Sequence, residues 1–204
     1  VGRRYAGIAL EQRTQLRRAA LLASALENFG TAGYAATSVK QICLTAELTE
    51  RYFYQSFADR EDALAALYDD LSTAMREATV AAVAAVDGDD IDAVARAGLA
   101  AFIGYLTDDP RRARVVLIEV VGVSSTMERR RHDVLSDFAA VVSSVWAAGG
   151  HELGSRERSL AVALVGAVNH LLVDWLLGDR RQDVAELVDV CELLFAAAAE
   201  KVVR

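Results

Sequence analysis

Thr49, Glu50, Arg51 and Tyr52 open a short segment that follows a tight turn at Ala46–Leu48 and an earlier short segment beginning at Ser38. Helix, turn, helix over residues 38–57 is the arrangement whose second helix enters the major groove of DNA, its N-terminal residues reaching base edges. Arg51 can bond guanine O6 and N7 in bidentate fashion, and Glu50 can accept from cytosine N4. Tyr54 and Arg60 are placed to hold phosphates, Arg60 helped by the N-terminal amides of the next helix. Ala46 is small enough to let the two helices approach. The competing reading of Arg51 and Tyr52 is plain solvation, whereas Tyr34, Phe53 and Phe57 read as the core of a three-helix domain. No catalytic set assembles. His170 and Asp174 lie one helical turn apart, as a base and its orienting carboxylate would, but no nucleophile completes them, so they read as a hydrogen-bonded pair at an interface. His132 and His151 suggest no chemistry of their own. Cys43 and Cys191 are far apart and form no CxxC, so neither a disulfide framework nor a zinc site is expected, and no metal or cofactor is implied.

These residues need helices to position them, and the composition supplies helices. The chain has 204 residues, 53% hydrophobic and 25% charged, with a single proline, which suits an all-α protein with a sizeable core. Leu16, Ala19, Ala20, Ala23, Leu26 and Phe29 recur at three- and four-residue spacing and predict one buried face of a helix over Glu11–Phe29, stopped by Gly30 and Gly33. Thr37 and Ser38 are N-caps for a short helix through Val39, Ile42 and Cys43. Thr49 caps the next, and Asp59 caps a fourth opening with Arg60-Glu61-Asp62. Leu64, Leu67, Leu71, Met75 and Ala78 stripe a long helix that ends near Val86, before the turn Asp87-Gly88-Asp89-Asp90. Further helices are expected over Ile91–Leu106, from Pro110 (after the acidic cap Asp109) to residue 121, over Ser125–Ala148 before Gly149-Gly150, over Ser155–Leu177, and over Arg181–Val203. Val115–Ile118 is ambiguous with a strand by propensity. Charged residues interrupt every apolar run of membrane-spanning length, so no membrane partner is expected, and a reducing cytoplasmic setting is.

Phe29-Gly30-Thr31-Ala32-Gly33-Tyr34-Ala35-Ala36-Thr37-Ser38-Val39, with Ile42, Ala46, Leu48-Thr49, Phe53-Tyr54, Phe57 and Arg60-Glu61, resembles the N-terminal domain of the TetR family over about residues 11–68. The resemblance implies a homodimeric transcriptional repressor, not an enzyme, whose larger domain binds a small molecule. It divides the chain into a DNA-binding domain, 1–62, and a helical-bundle domain for effector binding and dimerisation, 63–204. Ser38, Lys40, Glu50, Arg51, Tyr52, Tyr54 and Arg60 fall where the family contacts DNA. The chain departs from the family pattern at three places. Glu47 stands where a turn glycine is usual, Ser56 where histidine is frequent, and Arg51 and Tyr52 where small residues are usual.

The resemblance also puts a ligand pocket among the middle helices. Large residues at helical spacing there are Leu71, Met75, Phe102, Tyr105, Phe138, Val142 and Trp146, with Asn169 as a polar anchor; ordinary core packing is the alternative for each. Such a lining would take a small hydrophobic effector. Along the last two helices, Leu164, Val168, Leu171 and Trp175 form one seam and Leu187, Cys191, Leu194 and Phe195 another, more apolar surface than one chain needs, which predicts an intermolecular four-helix bundle. The dimer would read a pseudo-palindromic double-stranded operator. A small-molecule-binding bundle or a helical-bundle enzyme without DNA function are the other readings. Arg111-Arg112-Arg114 and Arg129-Arg130-Arg131 adjoin acidic residues and read as salt-bridged faces. The net charge of −7 argues against nucleic acid only as an average. Residues 1–60 hold eight Lys or Arg against five Asp or Glu, a net +3, and the remainder carries −10.

Overall fold

Every regular element among the described residues is helical, as the alanine-, leucine- and valine-rich composition requires. The computed structural model describes residues 2–87, 90–148, 153–178 and 183–202, with side chains from residue 11 to residue 201. The elements are α1 (Gly2–Thr31), α2 (Val39–Thr45), α3 (Glu50–Ser56), α4 (Arg60–Ala84), α5 (Ile91–Thr107), α6 (Pro110–Arg114), α7 (Ser125–Ala148), α8 (Ser155–Leu177) and α9 (Val184–Val202). The Gly149-Gly150 stop, His151, the Gly88-Asp89 turn and the expected start at Arg181 lie outside the described residues. The chain forms two compact units, Val1–Asp70 and Leu71–Arg204, and the division falls inside α4.

In the first unit α1, α2 and α3 pack pairwise against one another. The face of α1 that is buried is not the expected one. Leu16 is 67% exposed and Ala19, Ala20 and Ala23 are exposed, while Leu21, Leu22, Ala25 and Phe29 are buried. Alanine occurs all round this helix, so two apolar stripes share the helical period, and the one with the larger side chains goes inward because it removes more apolar surface from water. Gly33, at φ 93, closes α1; its N–H and that of Ala32 both donate to the Asn28 carbonyl.

The second unit pairs α7 with α8 and α5 with α9, with α8 and α9 also in contact. Asp109 caps α6, accepting from the Arg111 N–H at 3.1 Å, with Pro110 at the first helical position where its missing N–H is harmless. The ambiguous Val115–Ile118 run is helical. It continues α6 as a π-helical turn over Val115–Glu119, burying Val115, Val116 and Leu117. Such a turn is a π-bulge, the form in which a π-helix mostly occurs next to α-helix. Helix α8 is long and apolar enough to cross a membrane, and its stripe Ala161, Leu164, Val165, Val168, Leu172 and Trp175 is buried inside the unit, as in a core helix.

Candidate functional site

The turn between α2 and α3 is built by backbone hydrogen bonds that a non-glycine residue must tolerate. The Leu48 N–H donates to the Cys43 carbonyl at 2.9 Å and the Ala46 N–H to the Ile42 carbonyl at 3.0 Å, which places Glu47 at φ 54, in the left-handed region. Ser38 starts α2 with a capping box. Its hydroxyl oxygen accepts from the Gln41 N–H at 3.2 Å, and Gln41 Oε1 accepts from the Ser38 N–H at 2.7 Å. Underneath, Ile42, Cys43, Phe53 and Phe57 are buried, and burial, helped by the negative Glu50, pushes the Cys43 thiol up in pKa. Ser24 ties α1 to this core, donating to the Ile42 carbonyl at 2.7 Å. Truncating a buried aromatic such as Phe53 to alanine costs about 3–5 kcal/mol, so the two short helices stand or fall with this core.

With that face inward, the opposite one is left to solvent. Lys40, Thr49, Glu50 and Arg51 are exposed, and Tyr54 is 58% exposed with its ring edge-on to Phe53 at 5.5 Å. Thr49 occupies the N-cap of α3 without a side-chain cap hydrogen bond. Tyr52 is half-buried under the Arg17 guanidinium, whose carbon sits 4.0 Å from the ring centroid. Arg60 is placed otherwise than expected. It donates to the Thr37 carbonyl and lies over the Tyr34 ring at 4.2 Å. Of the amides at the start of α4, that of Asp62 donates to the Asp59 carboxylate at 2.8 Å. Arg60 therefore locks the 34–37 turn to α4, because an inward guanidinium over an aromatic face satisfies a carbonyl that the turn leaves open.

Two residues of this site escape the motif. Arg18 donates to the Ser56 carbonyl at 3.0 Å and stacks over Phe57 at 4.5 Å, so it and Arg17 hold α3 at both ends from α1. Their only sequence signal is that Arg18 continues the buried stripe Leu21, Leu22, Ala25, Phe29 one turn back, a pattern visible only once the correct face of α1 is chosen.

A cavity of about 740 Å³, its open mouth included, lies within the second unit between the C-terminal half of α4 and helices α5, α7, α8 and α9. Phe102, Phe138, Val142 and Trp146 line it, with Phe102 and Phe138 edge to face at 4.8 Å. Leu71 and Met75 are buried elsewhere in the core, Tyr105 lies under Arg112 at 4.7 Å, and Asn169 is half-buried away from the lining. Missed were Thr79 and Val83 of α4 and several α5 residues, among them Ile91, Asp92, Ala95 and Gly98. Gly98 was the available signal, since glycine inside a helix marks a close approach. A Cβ there would meet Val83 Cγ2 at 3.0 Å.

The expected dimer seams lie mostly inside one chain. Leu164, Val168, Trp175, Leu187 and Cys191 are buried in the second unit, Leu171 is half-buried, and Phe195 lines the cavity; of that set Leu194 remains exposed. The apolar surface left over is the neighbouring face, with Val162 and Leu177 on α8 and Val190, Leu193 and Leu194 on α9. Each of these helices has two apolar stripes, and its own core takes the one with the tryptophan and cysteine. His170 and Asp174 are both exposed. The arginine runs are salt-bridged as expected: Arg111 to Asp109 at 2.8 Å, Arg114 to Glu119 at 2.8 Å and Arg131 to Glu128 at 3.5 Å.

Fold and surface together define a helix-turn-helix protein with a separate, cavity-bearing helical unit. Residues 21–67, which include α2 and α3, match the bacterial regulatory proteins of the tetR family. No protein of curated function matches the chain. The fatty acid degradation regulator FadR from Bacillus halodurans has the same fold, with a TM-score of 0.78 at 17% identity over 88% of this chain and 94% of that one. FadR from Bacillus subtilis, solved with stearoyl-CoA, gives 0.77 at 16% identity over 88% and 97%. A TetR-like transcriptional regulator from a Rhodococcus species gives 0.68 at 20% identity over 88% and 93%.

Proposed function

We propose that this chain is a cytoplasmic, ligand-responsive repressor that binds a pseudo-palindromic operator as a homodimer and is released by a small hydrophobic effector. The observation that carries the reading is the exposed row at the start of α3, Thr49, Glu50 and Arg51 with Tyr54 behind, held on a buried core by the capping box and by Arg17 and Arg18. Arg51 and Glu50 read bases; Ser38, Lys40 and Tyr54 fix the protein on the phosphates. A two-fold dimer is needed because one short helix reads only a half-site, and paired half-sites lie roughly 34–36 Å apart. The exposed face Val162, Leu177, Val190, Leu193 and Leu194 supplies that contact.

The effector site is the cavity of the second unit. An acyl chain, as in the stearoyl-CoA bound by Bacillus subtilis FadR, is one occupant to test. Helix α4 belongs to both units and lines the cavity through Thr79 and Val83, so a ligand that prefers one position of α4 biases the presentation of the reading heads. A coupling of about 1–3 kcal/mol would weaken operator binding roughly 5- to 150-fold. Selection of bound sequences from a random duplex pool, with sizing of the complex, tests the reading. A two-fold-related motif bound by a dimer is expected; absence of salt-dependent retention by any duplex would refute it.

A further inference from the structure

The cavity of the second unit discriminates by charge. We infer that its ligand is an uncharged, largely hydrocarbon or aromatic molecule carrying one hydrogen-bond acceptor, which accepts from the indole N–H of Trp146; the inference rests on the cavity being the effector site.

Eighteen described residues line the cavity, and the single ionisable one among them is Asp92. No lysine, arginine or histidine is among them. Asp90, beside Asp92, caps α5 with its carboxylate, accepting from the Asp92 and Ala93 N–H groups at 3.0 and 3.2 Å, so a second negative charge sits at the same helix end. Arg96, one turn further along α5, is engaged by Asp189 at 3.3 Å and by Glu192, both on α9. A carboxylate drawn into this wall would lose its water and meet no counter-charge among the described lining residues, and a charge buried without a partner is strongly disfavoured. The phosphates of coenzyme A would face the same acidic helix end. The charged ligand classes are therefore the ones this lining rejects.

What it accepts follows from the uncommitted polar groups. The Thr79 hydroxyl already donates to the Met75 carbonyl at 2.8 Å. Trp146 is buried in the wall, and its indole N–H bonds to no other described residue. A buried tryptophan ordinarily finds a partner for that group. A ketone, ester or ether oxygen satisfies it, while the Phe102–Phe138 pair and the valines of α7 and α8 take the apolar remainder.

The test titrates the full chain with 2-dodecanone, dodecanoate and dodecanoyl-CoA by calorimetry. The ketone should bind at least about tenfold more tightly than either anion. Trp146→Phe should weaken the ketone by about two- to twelvefold, the range of a single neutral hydrogen bond. It should leave hexylbenzene, which has no acceptor, with an unchanged effect on the melting temperature. Dodecanoate or dodecanoyl-CoA binding as tightly as the ketone would overturn the inference, and so would binding by none of the three. The ranking on the unmodified protein decides this even if Trp146→Phe fails to fold. Ketone binding that leaves operator occupancy unchanged would instead sink the effector reading while the ligand class stands.

Discussion

Replacing Arg18 by methionine tests whether α1 holds the reading helix. The substitution keeps an apolar stem over Phe57 and removes two interactions, the 3.0 Å hydrogen bond to the Ser56 carbonyl and the stacked cation at 4.5 Å. Ser56 ends α3, so its carbonyl lacks a helical partner and sits at the negative end of the helix dipole, where a cation is favoured. A hydrogen bond from a charged donor contributes about 1.5–3 kcal/mol and an exposed cation–π contact about 0.5–1 kcal/mol. Arg18 is half-exposed, so screening brings the expected loss to about 1–3 kcal/mol. Both tryptophans, Trp146 and Trp175, lie in the second unit, so their fluorescence cannot follow the first. Hydrogen exchange over residues 39–57 can. The amides of Leu48 and Phe57, bonded to the Cys43 and Phe53 carbonyls, should exchange roughly 5- to 150-fold faster, with the second unit unchanged. Operator affinity should fall without a change of preferred sequence. Unaltered exchange in α3, or equal acceleration in both units, would refute the argument.

Other outcomes follow from single features. Glu47→Gly should leave stability unchanged or raise it by up to about 1 kcal/mol, and Glu47→Val should lower it by about 1–2 kcal/mol, measured by urea unfolding, because only glycine is at ease at φ 54. The Arg111 side chain holds the Asp109 carboxyl below its usual range, so the Asp109 cap stabilises the fold above the ordinary aspartate pKa. That contribution disappears as the pH falls through the lowered value, and Asp109→Asn should flatten the acid limb of the unfolding curve. Burial pushes the Cys191 thiol up to about 11, so the unfolded thiol ionises first and stability should decline from about pH 9 to 11, a decline that Cys191→Ala removes. Leu193→Glu, at a residue 70% exposed on α9, should yield a monomer in sedimentation; a persistent dimer would place the interface elsewhere.

Much of the fold was legible because local signals agreed with one another. Ser38, Asp59 and Asp109 cap helices through their side chains, the α7 and α8 bounds coincide with the expected Ser125–Ala148 and Ser155–Leu177, and Leu64, Leu67, Leu71 and Met75 are buried as their spacing predicts. Legibility failed wherever a helix has two apolar stripes. On α1 the alanines pointed to the wrong face, and on α8 and α9 the core took the stripes with Trp175 and Cys191, leaving Val162, Leu177 and Leu193 outside. Periodicity specifies a helix and not which face meets which neighbour. The cavity was half legible. The aromatic residues of α5 and α7 stand out by size, whereas Thr79, Val83 and Ala95 line it only because Gly98 brings α4 and α5 together. Arg60 was misplaced because its spacing suits a phosphate equally well, and its inward turn depends on Tyr34 and the Thr37 carbonyl meeting it from a distant turn.

The central claim is that α3 reads DNA through its exposed N-terminal residues. Selection of bound duplexes by the unmodified chain and by Arg51→Ala, at two salt concentrations, tests it most directly. The account predicts one two-fold-related motif for the unmodified chain, and for Arg51→Ala a relaxed preference at one symmetric base-pair position with a loss of about 1–3 kcal/mol per site. An unchanged motif for Arg51→Ala, weakened equally on every sequence, would assign Arg51 to the phosphates, and no enrichment for the unmodified chain would contradict the account outright.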